Sequence, residues 1–361
     1  MNILYLLFSF TTGGTERLVA DICNEMVRRE HTVHLYVVND LYEQSMLDTL
    51  SPAVRVQLQK RPVGGGGKAA TLRAVTDYIR KHKIQVVHCN SFSAPELLLL
   101  KPLCFPRVKV LHTVHDVGQY ATLNPLKRQL RNLLCRRFIA ISQCVKNDII
   151  SHGAAPQKVR VVYNAINLKK FAPRPKAESS QLAIGQVARI MPEKKGQDLL
   201  LEAVAALHQK YPQLHCYFAG DADAAHQQAF AKLRAAAKAA GLEDTVTFLG
   251  NVQDIPAFLA SLDIFVLPSR YEGFGISLIE AMAMGLPCIA SRLDGPAEVL
   301  RDGKYGTLFT PGDSRDLAQK LEQVICDLPA RTAAAAEATS YVQAEYNIET
   351  MCDRLEQVMG E

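Results

Sequence analysis

The feature that most constrains this chain is a regular alternation of short apolar runs and amphipathic segments, which begins at the first residues and begins again near the middle. The runs at residues 2–10, 32–38 and 182–187 are rich in Val, Ile and Leu and have the length of strands. Apolar strands that alternate with helices are typical of a parallel sheet covered by helices on both faces. The sequence therefore predicts an α/β chain with two doubly wound sheets.

A segment without periodicity separates the two series of strands and helices. It covers residues 167–181, NLKKFAPRPKAESSQ, and contains two prolines. The 361 residues of the chain exceed what one hydrophobic core usually supports. We therefore expect a first domain at residues 1–170 and a second at residues 171–344, with a ligand cleft facing the carboxyl ends of both sheets.

The remaining composition is typical of a cytoplasmic protein. The apolar start of the chain has no preceding basic segment and no small-residue cleavage site, so it predicts a buried strand rather than a signal peptide. No run approaches the roughly 20 apolar residues of a membrane-spanning helix. The nine cysteines are scattered and form no C-x-x-C pair, which favours buried thiols over disulfides or a metal site.

Charge is distributed unevenly between the two halves. Residues 1–175 hold 25 Lys and Arg against 11 Asp and Glu, a net charge of +14, and the rest holds 16 against 25, a net charge of −9. Such asymmetry predicts an anionic partner for the first half, and phospholipid head groups, nucleic acid and a phosphorylated substrate remain open. Part of the charge lies in a predicted helix at residues 125–136, which contains Lys127, Arg128, Arg131 and Arg136. Its leucines at 126, 130, 133 and 134, with Phe138, fit one helical face, which either lies on an anionic membrane or packs on the core.

The strongest candidate site lies in the second half, where a strand, a Gly-containing loop and a helix follow one another. The loop contains Gly273, Phe274, Gly275 and Ile276, and Gly285 with Pro287 ends the helix. Backbone N–H groups at a helix start are suited to a diphosphate. Two carboxylates, Glu272 before the loop and Glu280 inside the helix, are suited to accept hydrogen bonds from sugar hydroxyls. A buried carboxylate in so apolar a helix would be costly without such a partner.

Cations and glycines occupy the ends of other predicted strands. Arg189, Lys194 and Lys195 follow the first strand of the second domain, where they would stabilise charge on a leaving phosphate. Gly13 and Gly14 lie between the first strand and the first helix, where glycines let a backbone approach an anion closely. A tight turn without a ligand would also explain them.

Metal and dinucleotide sites are disfavoured. His112 and His115 lie three residues apart on a predicted strand and face opposite sides, which disfavours a metal ion bound by both. The pattern favours instead a single histidine that faces the cleft. Asp221 and Asp223 form a D-x-D that binds cations in some sugar transferases, but a simple turn explains it. The chain contains no G-x-G-x-x-G, which disfavours a dehydrogenase.

Taken together, these motifs resemble glycosyltransferase family 4, the retaining nucleotide-sugar transferases of GT-B fold, over nearly the whole chain. The resemblance rests on residues 13–17, 115–116, 140–142, 162–167, Arg189 with Lys194 or Lys195, residues 220–221, 272–280 and 295–298. Two positions depart from the family pattern. An extra lysine leaves open which of Lys194 and Lys195 is the phosphate-binding one, and Gly295-Pro296 replaces a double glycine.

The resemblance implies a role for each matching residue. It implies that Glu280 binds the ribose and Glu272 the donor sugar, and that Arg189 and a lysine bind the leaving phosphates. It implies that His115 contacts the transferred sugar. The other implied donor-binding residues are Gly13, Gly14, Gly220, Gly250, Val252, Gly273, Phe274, Gly275 and Ile276. A last helix, within residues 345–361, is expected to pack on the first domain.

The implied reaction is the transfer of a hexose-type sugar from a nucleotide diphosphate sugar, with retention and without a metal or other cofactor. The implied acceptor is a hydroxyl of a cell-surface glycan or of a lipid-linked intermediate, as in lipopolysaccharide assembly. We expect an anionic membrane surface as a further partner and no nucleic acid, with the enzyme cytoplasmic or peripheral on the inner face of the membrane. A GT-B epimerase or phosphorylase, or a non-catalytic nucleotide-sugar-binding protein, remains the alternative.

Overall fold

The computed structural model describes residues 1–176 and 179–361, so residues 177–178 of the predicted interdomain segment lie outside the described residues. The chain divides into two compact units. The first contains Met1–Ala165 and Ile348–Glu361, and the second contains Ile166–Asn347. The predicted division after residue 170 comes a few residues later than this one.

The first unit is built on one seven-stranded sheet in which every described strand pair is parallel. Its strands are β1 (Asn2–Leu7), β2 (Thr32–Asn39), β3 (Arg55–Arg61), β4 (Val86–Cys89), β5 (Lys109–Val114), β6 (Arg137–Ala140) and β7 (Val159–Val161), in the order β3-β2-β1-β4-β5-β6-β7. Its helices before the second unit are α1 (Gly14–Arg28), α2 (Gln44–Leu47), α3 (Lys68–Lys81), α4 (Lys101–Cys104), α5 (Pro125–Leu134) and α6 (Gln143–Ser151). Short 3-10 turns occupy Ala94–Leu98, Tyr120–Thr122 and Pro156–Lys158.

The second unit repeats this plan with six strands. They are β8 (Leu182–Val187), β9 (Leu214–Ala219), β10 (Val246–Gly250), β11 (Ile264–Leu267), β12 (Cys288–Ser291) and β13 (Thr307–Phe309), in the order β10-β9-β8-β11-β12-β13 with all described pairs parallel. Its helices are α7 (Pro192–Lys195), α8 (Gln197–Leu207), α9 (Gln227–Ala239), α10 (Ile255–Ala260), α11 (Ile276–Ala283), α12 (Asp294–Val299), α13 (Ser314–Cys326) and α14 (Leu328–Glu345), with a 3-10 turn at Arg301–Gly303. The predicted class, α/β with two Rossmann-like doubly wound domains, is confirmed.

The central strands of both sheets are buried on both faces, as their continuous apolar sequences predict. All four residues of β4, β11 and β12 are buried. The sequence does not predict the edge strand β3, because RVQLQKR is polar; in the structure none of its seven residues is buried. All nine cysteines carry free thiols.

The final helix, α15 (Ile348–Gly360), belongs to the first unit and packs on α1. It buries Met351, Cys352 and Leu355, and Arg29 donates to Asp353 Oδ1 at 2.6 Å. No helix within the described residues is long and apolar enough to cross a membrane.

The leucine-containing face of α5 does not pack on the core over most of its length. Leu126 and Leu133 are 74% and 73% exposed, whereas Leu134 is buried and Arg131 is only 1% exposed. The guanidinium of Arg131 lies 4.2 Å from the ring centroid of Phe92, and its Nη2 lies 3.3 Å from a carboxylate oxygen of Glu96. This cation–π contact and ion pair offset part of the desolvation of the buried charge.

The end of α5 differs from the prediction. The helix ends at Leu134 rather than at residue 136, because Cys135 takes an extended conformation that leads directly into β6.

Candidate functional site

The loop between β11 and α11 carries the predicted diphosphate site. Gly275 precedes the first residue of α11 with a φ of +100°, a conformation that a side chain disfavours, and no side chain caps the helix. A Cβ at Gly275 would also lie 3.1 Å from Leu267 Cδ2. The N–H groups of Leu278 and Ile279 donate to the carbonyl of Gly275, which leaves those of Ile276 and Ser277, just after the carboxyl end of β11, for an anion.

Helix α12 packs directly against this loop through Gly295. A Cβ at Gly295 would lie 2.6 Å from the carbonyl carbon and oxygen of Gly273 and 2.9 Å from the backbone nitrogen of Phe274. Only a glycine permits this approach of two backbones. The sequence motif contained Gly295, but its function as the support of the loop emerges only from the packing.

Phe274 anchors the loop from inside. Its side chain is buried and meets the ring of Tyr346 edge to face, with 5.4 Å between the centroids. Phe274 therefore offers its backbone, not its ring, to a ligand. The hydroxyl of Tyr346 lies 2.8 Å from that of Tyr341.

Of the two predicted carboxylates, Glu272 precedes the loop and Glu280 lies one turn inside α11. Glu272 accepts a hydrogen bond from Lys195 Nζ at 2.7 Å, and Ser269 Oγ lies 3.4 Å from the same carboxylate oxygen. Glu280 lies in α11 and is only 7% exposed. The structure thus brings an ion pair and a second, nearly buried carboxylate to the two sides of one helix N-terminus.

Gly196 explains why Lys195 reaches Glu272. With a φ of +67°, this glycine lies so close to the end of β11 that a Cβ would be 1.9 Å from the carbonyl oxygen of Pro268. This close approach places the end of α7, with Lys195, beside the loop that follows β11. The backbone carbonyl of Lys194 accepts from the N–H of Arg270 at 2.8 Å, which fixes the neighbouring lysine by its main chain.

Arg189 lies at the end of β8, as predicted, and its side chain is 46% exposed. Its Nη1 lies 3.6 Å from Asp223 Oδ2. The backbone carbonyl of Arg189 accepts from Gln197 Nε2 at 3.0 Å, and the carbonyl of Lys195 accepts from Gln186 Nε2 at 2.8 Å. These two buried glutamines, which sequence reasoning missed, hold the loop that carries both cations.

Gly220 and Gly250 lie together beside this loop. The N–H of Gly220 donates to the carbonyl of Gly250 at 2.8 Å. A Cβ at Gly220 would lie 2.0 Å from the carbonyl oxygen of Ala188, so the glycine allows the strand ends to converge. Val252 follows Gly250 by two residues and is half-buried.

The two aspartates of the D-x-D sequence form hydrogen bonds and an ion pair with neighbouring protein groups. Asp221 accepts from the backbone N–H of Ala222 at 2.8 Å, and Asp223 accepts from His226 and pairs with Arg189. The hydrogen bond from His226 lowers the pKa of Asp223. The part of the chain that the structure describes holds no group of three His, Cys, Asp or Glu side chains placed to bind a metal ion.

In the first unit, Gly13 precedes α1 and Gly14 is its first residue, without a side-chain cap. The φ of Gly13 is −166°, which any residue can adopt, so its conformation does not require glycine.

The two histidines at the end of β5 differ in their surroundings. His112 is fully buried among aromatic rings, whereas His115 follows the strand and is half-buried. Burial lowers the pKa of His115 to about 4, against the opposing effects of Asp116 and the Asn90 backbone. His115 is therefore a neutral imidazole at neutral pH, and both of its ring nitrogens are buried.

Family models match both units of this chain. The model described as Glycosyltransferase Family 4 matches residues 12–170, and the one described as Glycosyl transferases group 1 matches residues 181–327.

Curated relatives and solved structures agree with this match. The lipopolysaccharide core biosynthesis mannosyltransferase LpcC of Rhizobium leguminosarum is 31% identical over 52% of this chain and 56% of its own length. The N-acetyl-alpha-D-glucosaminyl L-malate synthase of Bacillus anthracis is 22% identical over 96% of this chain and 94% of its own. The match thus spans little more than half the length of the first of these relatives.

The fold is shared with HepE of Anabaena, solved in complex with UDP-glucose, at a TM-score of 0.84 with 24% identity, covering 100% of this chain and 99% of HepE. A glycosyltransferase of Rickettsia africae matches at a TM-score of 0.85 with 18% identity over 99% of this chain and 97% of its own. The two family models, which between them match residues 12–170 and 181–327, show that the chain belongs to glycosyltransferase family 4.

Proposed function

We propose that this protein is a retaining glycosyltransferase that moves a hexose-type sugar from a nucleotide diphosphate sugar to a hydroxyl of a glycan or lipid-linked acceptor. The observation that carries the proposal is the arrangement around α11. There, an uncapped helix N-terminus on a loop supported by Gly295 lies beside the Lys195–Glu272 ion pair. The site combines donors for phosphate with acceptors for sugar hydroxyls.

Each group then has a definite task. The N–H groups of Ile276 and Ser277 at the start of α11 bind the diphosphate, and the cations Arg189 and Lys195 stabilise the charge that develops on it. Glu280 accepts hydrogen bonds from the ribose, and Glu272, oriented by Lys195, accepts them from the sugar. His115, neutral at physiological pH, contacts the transferred sugar.

In the proposed step, the acceptor oxygen forms a bond to the anomeric carbon while the bond from that carbon to the diphosphate oxygen breaks. Attack comes from the face that the diphosphate leaves, so the configuration is retained. The acceptor proton passes to an oxygen of the leaving phosphate. No enzyme carboxylate is needed as a nucleophile, in contrast to retaining glycosidases, and the proposal includes no metal or other cofactor.

The relatives guide the choice of substrates to test. HepE was solved with UDP-glucose, and several curated relatives are named as lipopolysaccharide glycosyltransferases, among them a Salmonella typhimurium lipopolysaccharide 1,6-galactosyltransferase 29% identical over 52% of this chain. We propose a cytoplasmic enzyme that builds an envelope polysaccharide, with UDP-hexoses as the first donors to test.

The experiment is a transfer assay with UDP-, GDP- and ADP-hexoses in EDTA, followed by NMR of the product's anomeric proton. Retention with the wild type and loss of turnover in Glu280→Gln support the proposal. The exposed Glu243→Gln is the matched control and should keep full activity. An inverted product, or strict dependence on added manganese, would contradict it. Binding without any transfer or hydrolysis would favour a non-catalytic nucleotide-sugar-binding protein.

A further inference from the structure

A cavity of about 440 Å³ lies in the first unit, away from the groups assigned above. It is lined by the end of α3 and by the segments that precede β4 and β5, namely Ile79, Arg80, Lys83, Ile84, Cys104, Phe105, Pro106, Arg107 and Val108. These segments enter their strands at Val86 and Lys109, so the cavity lies at the amino-terminal edge of the sheet. Substrates of parallel sheets bind at the opposite edge, so the cavity is not part of the donor or acceptor site.

The chemistry of the cavity suits an anionic amphiphile. Its floor consists of the buried apolar side chains of Ile79, Ile84, Phe105 and Val108. Its rim carries the exposed cations Arg80, Lys83 and Arg107, and none of the nine lining residues is acidic. Within residues 1–176 and 179–361, none of these three cations has an ion-pair partner. A phosphate at the rim with an apolar chain on the floor would satisfy both halves of the cavity.

Exposed leucines lie on the elements beside the cavity. Leu103, next to the cavity residue Cys104, is 84% exposed, and Leu99 is also exposed. The 3-10 turn that leads to them packs on α5, since both Lys127 and Arg131 of α5 lie within ion-pair distance of Glu96. On α5, the exposed leucines are Leu126 and Leu133. Exposed apolar groups beside an unpaired cluster of cations mark a surface for interaction.

We propose that this docking surface, formed by Leu99, Leu103, Leu126 and Leu133 together with the cavity cations Arg80, Lys83 and Arg107, binds an anionic phospholipid bilayer. The leucines enter the headgroup region, and one lipid phosphate binds between the three cations. Residues 1–165 hold 22 Lys and Arg against 11 Asp and Glu, and residues 348–361 add one against four, so the first unit carries 23 minus 15, a net charge of +8, which attracts it to such a surface. A bilayer fits better than a protein groove because the leucines project singly from three short segments. The inference goes beyond the transferase reaction and is independent of it.

The sequence contains no tryptophan, so a single introduced tryptophan can be followed without a signal from other tryptophans. We expect Leu103→Trp to show a blue-shifted emission on adding vesicles of phosphatidylglycerol, and no shift with phosphatidylcholine alone. Leu249→Trp, an exposed apolar position in the second unit, is the matched control and should not shift. The proposal is overturned if Leu103→Trp does not shift at low ionic strength, or if both variants shift equally.

The cavity is tested by reversing two of its cations. Arg80→Glu with Arg107→Glu should weaken binding to phosphatidylglycerol vesicles at least about 30-fold, since each basic residue near an anionic surface contributes about fivefold and the two new carboxylates add repulsion. Arg73→Glu with Lys81→Glu makes the same change of net charge on exposed residues of α3 outside the cavity, and should lose much less. Equal losses would exclude the cavity as the headgroup site.

Two further measurements complete the test. Both double variants must keep the circular dichroism and the nucleotide-sugar binding of the wild type, which separates docking from folding and from the transferase site. Glycerol phosphate should not displace the protein from vesicles at millimolar concentration. Efficient displacement would show a site for free phosphate and overturn the lipid assignment.

Discussion

Replacing Gly295 with alanine tests the support of the diphosphate loop. Gly295 lies in α12, where alanine would ordinarily stabilise the helix by about 1 kcal/mol relative to glycine. Here the new Cβ would meet the Gly273 carbonyl at 2.6 Å, whereas ordinary contacts begin at 3.4 Å. The loop and the helix must therefore separate by 3.4 minus 2.6, or 0.8 Å.

This displacement has two measurable consequences. Overpacking of this kind costs about 1–3 kcal/mol, so the free energy of unfolding should fall rather than rise. A shift of the amides by most of an ångström weakens charge-assisted hydrogen bonds to phosphate, each worth about 1.5–3 kcal/mol, so donor affinity should fall at least about tenfold.

The assay is urea unfolding together with calorimetric titration of the nucleotide sugar. Gly66→Ala is the control, because a Cβ there meets nothing within 4 Å and no left-handed φ is involved. If Gly295→Ala were as stable as the wild type and bound the donor equally well, the contact between α12 and the loop would have no function.

Three other substitutions probe the site and the first unit. Arg189→Ala should reduce turnover about 10²-fold or more while changing stability by less than about 0.5 kcal/mol, because the side chain is half exposed; kinetics and thermal unfolding check both. Tyr346→Leu should weaken donor binding, because Phe274 loses the ring that it packs against. Tyr346→Phe keeps that ring, and Tyr305→Leu removes only a ring stacked on Tyr341, so neither should weaken donor binding in titration calorimetry. Burial lowers the pKa of His88 to about 3. Since the unfolded histidine titrates near 6.5, the unfolded state binds more protons than the folded state below that pH. The free energy of unfolding of the wild type should therefore fall on acidification more steeply than that of His88→Gln, as measured by urea unfolding at a series of pH values.

The sequence predicted the architecture because apolar periodicity is a local property. The strands that are buried on both faces, such as β8 and β11, appear in the sequence as continuous apolar runs. Strand β3 lies at the edge of its sheet, where polar residues are tolerated, so its pattern was indistinguishable from a loop.

The candidate site was predictable as a set of residues but not as a geometry. Which lysine meets Glu272 depends on the close approach of Gly196 to Pro268, some seventy residues later in the chain. The burial of Arg131 depends on Glu96, 35 residues earlier. The ion pair of Lys195 and the burial of Arg131 both depend on contacts between segments that are distant in the sequence. A local sequence pattern does not contain such contacts.

The structure changes which residues should be replaced to test membrane binding by the first unit. Arg131 is buried and Arg128 donates to the carbonyl of Ala121, so charge reversal there would test the fold as well as docking. Exposed leucines and the cavity cations are the better positions, because their side chains support no core.

The central claim is that the loop at the start of α11 binds a nucleotide diphosphate sugar without a metal. Calorimetric titration of the wild type with UDP-, GDP- and ADP-hexoses in excess EDTA tests it most directly, with Glu280→Gln and Gly295→Ala titrated in parallel. The account predicts saturable binding of at least one of these donors at one site, weakened in both variants. No binding of any donor, or binding that both variants leave unchanged, would contradict it.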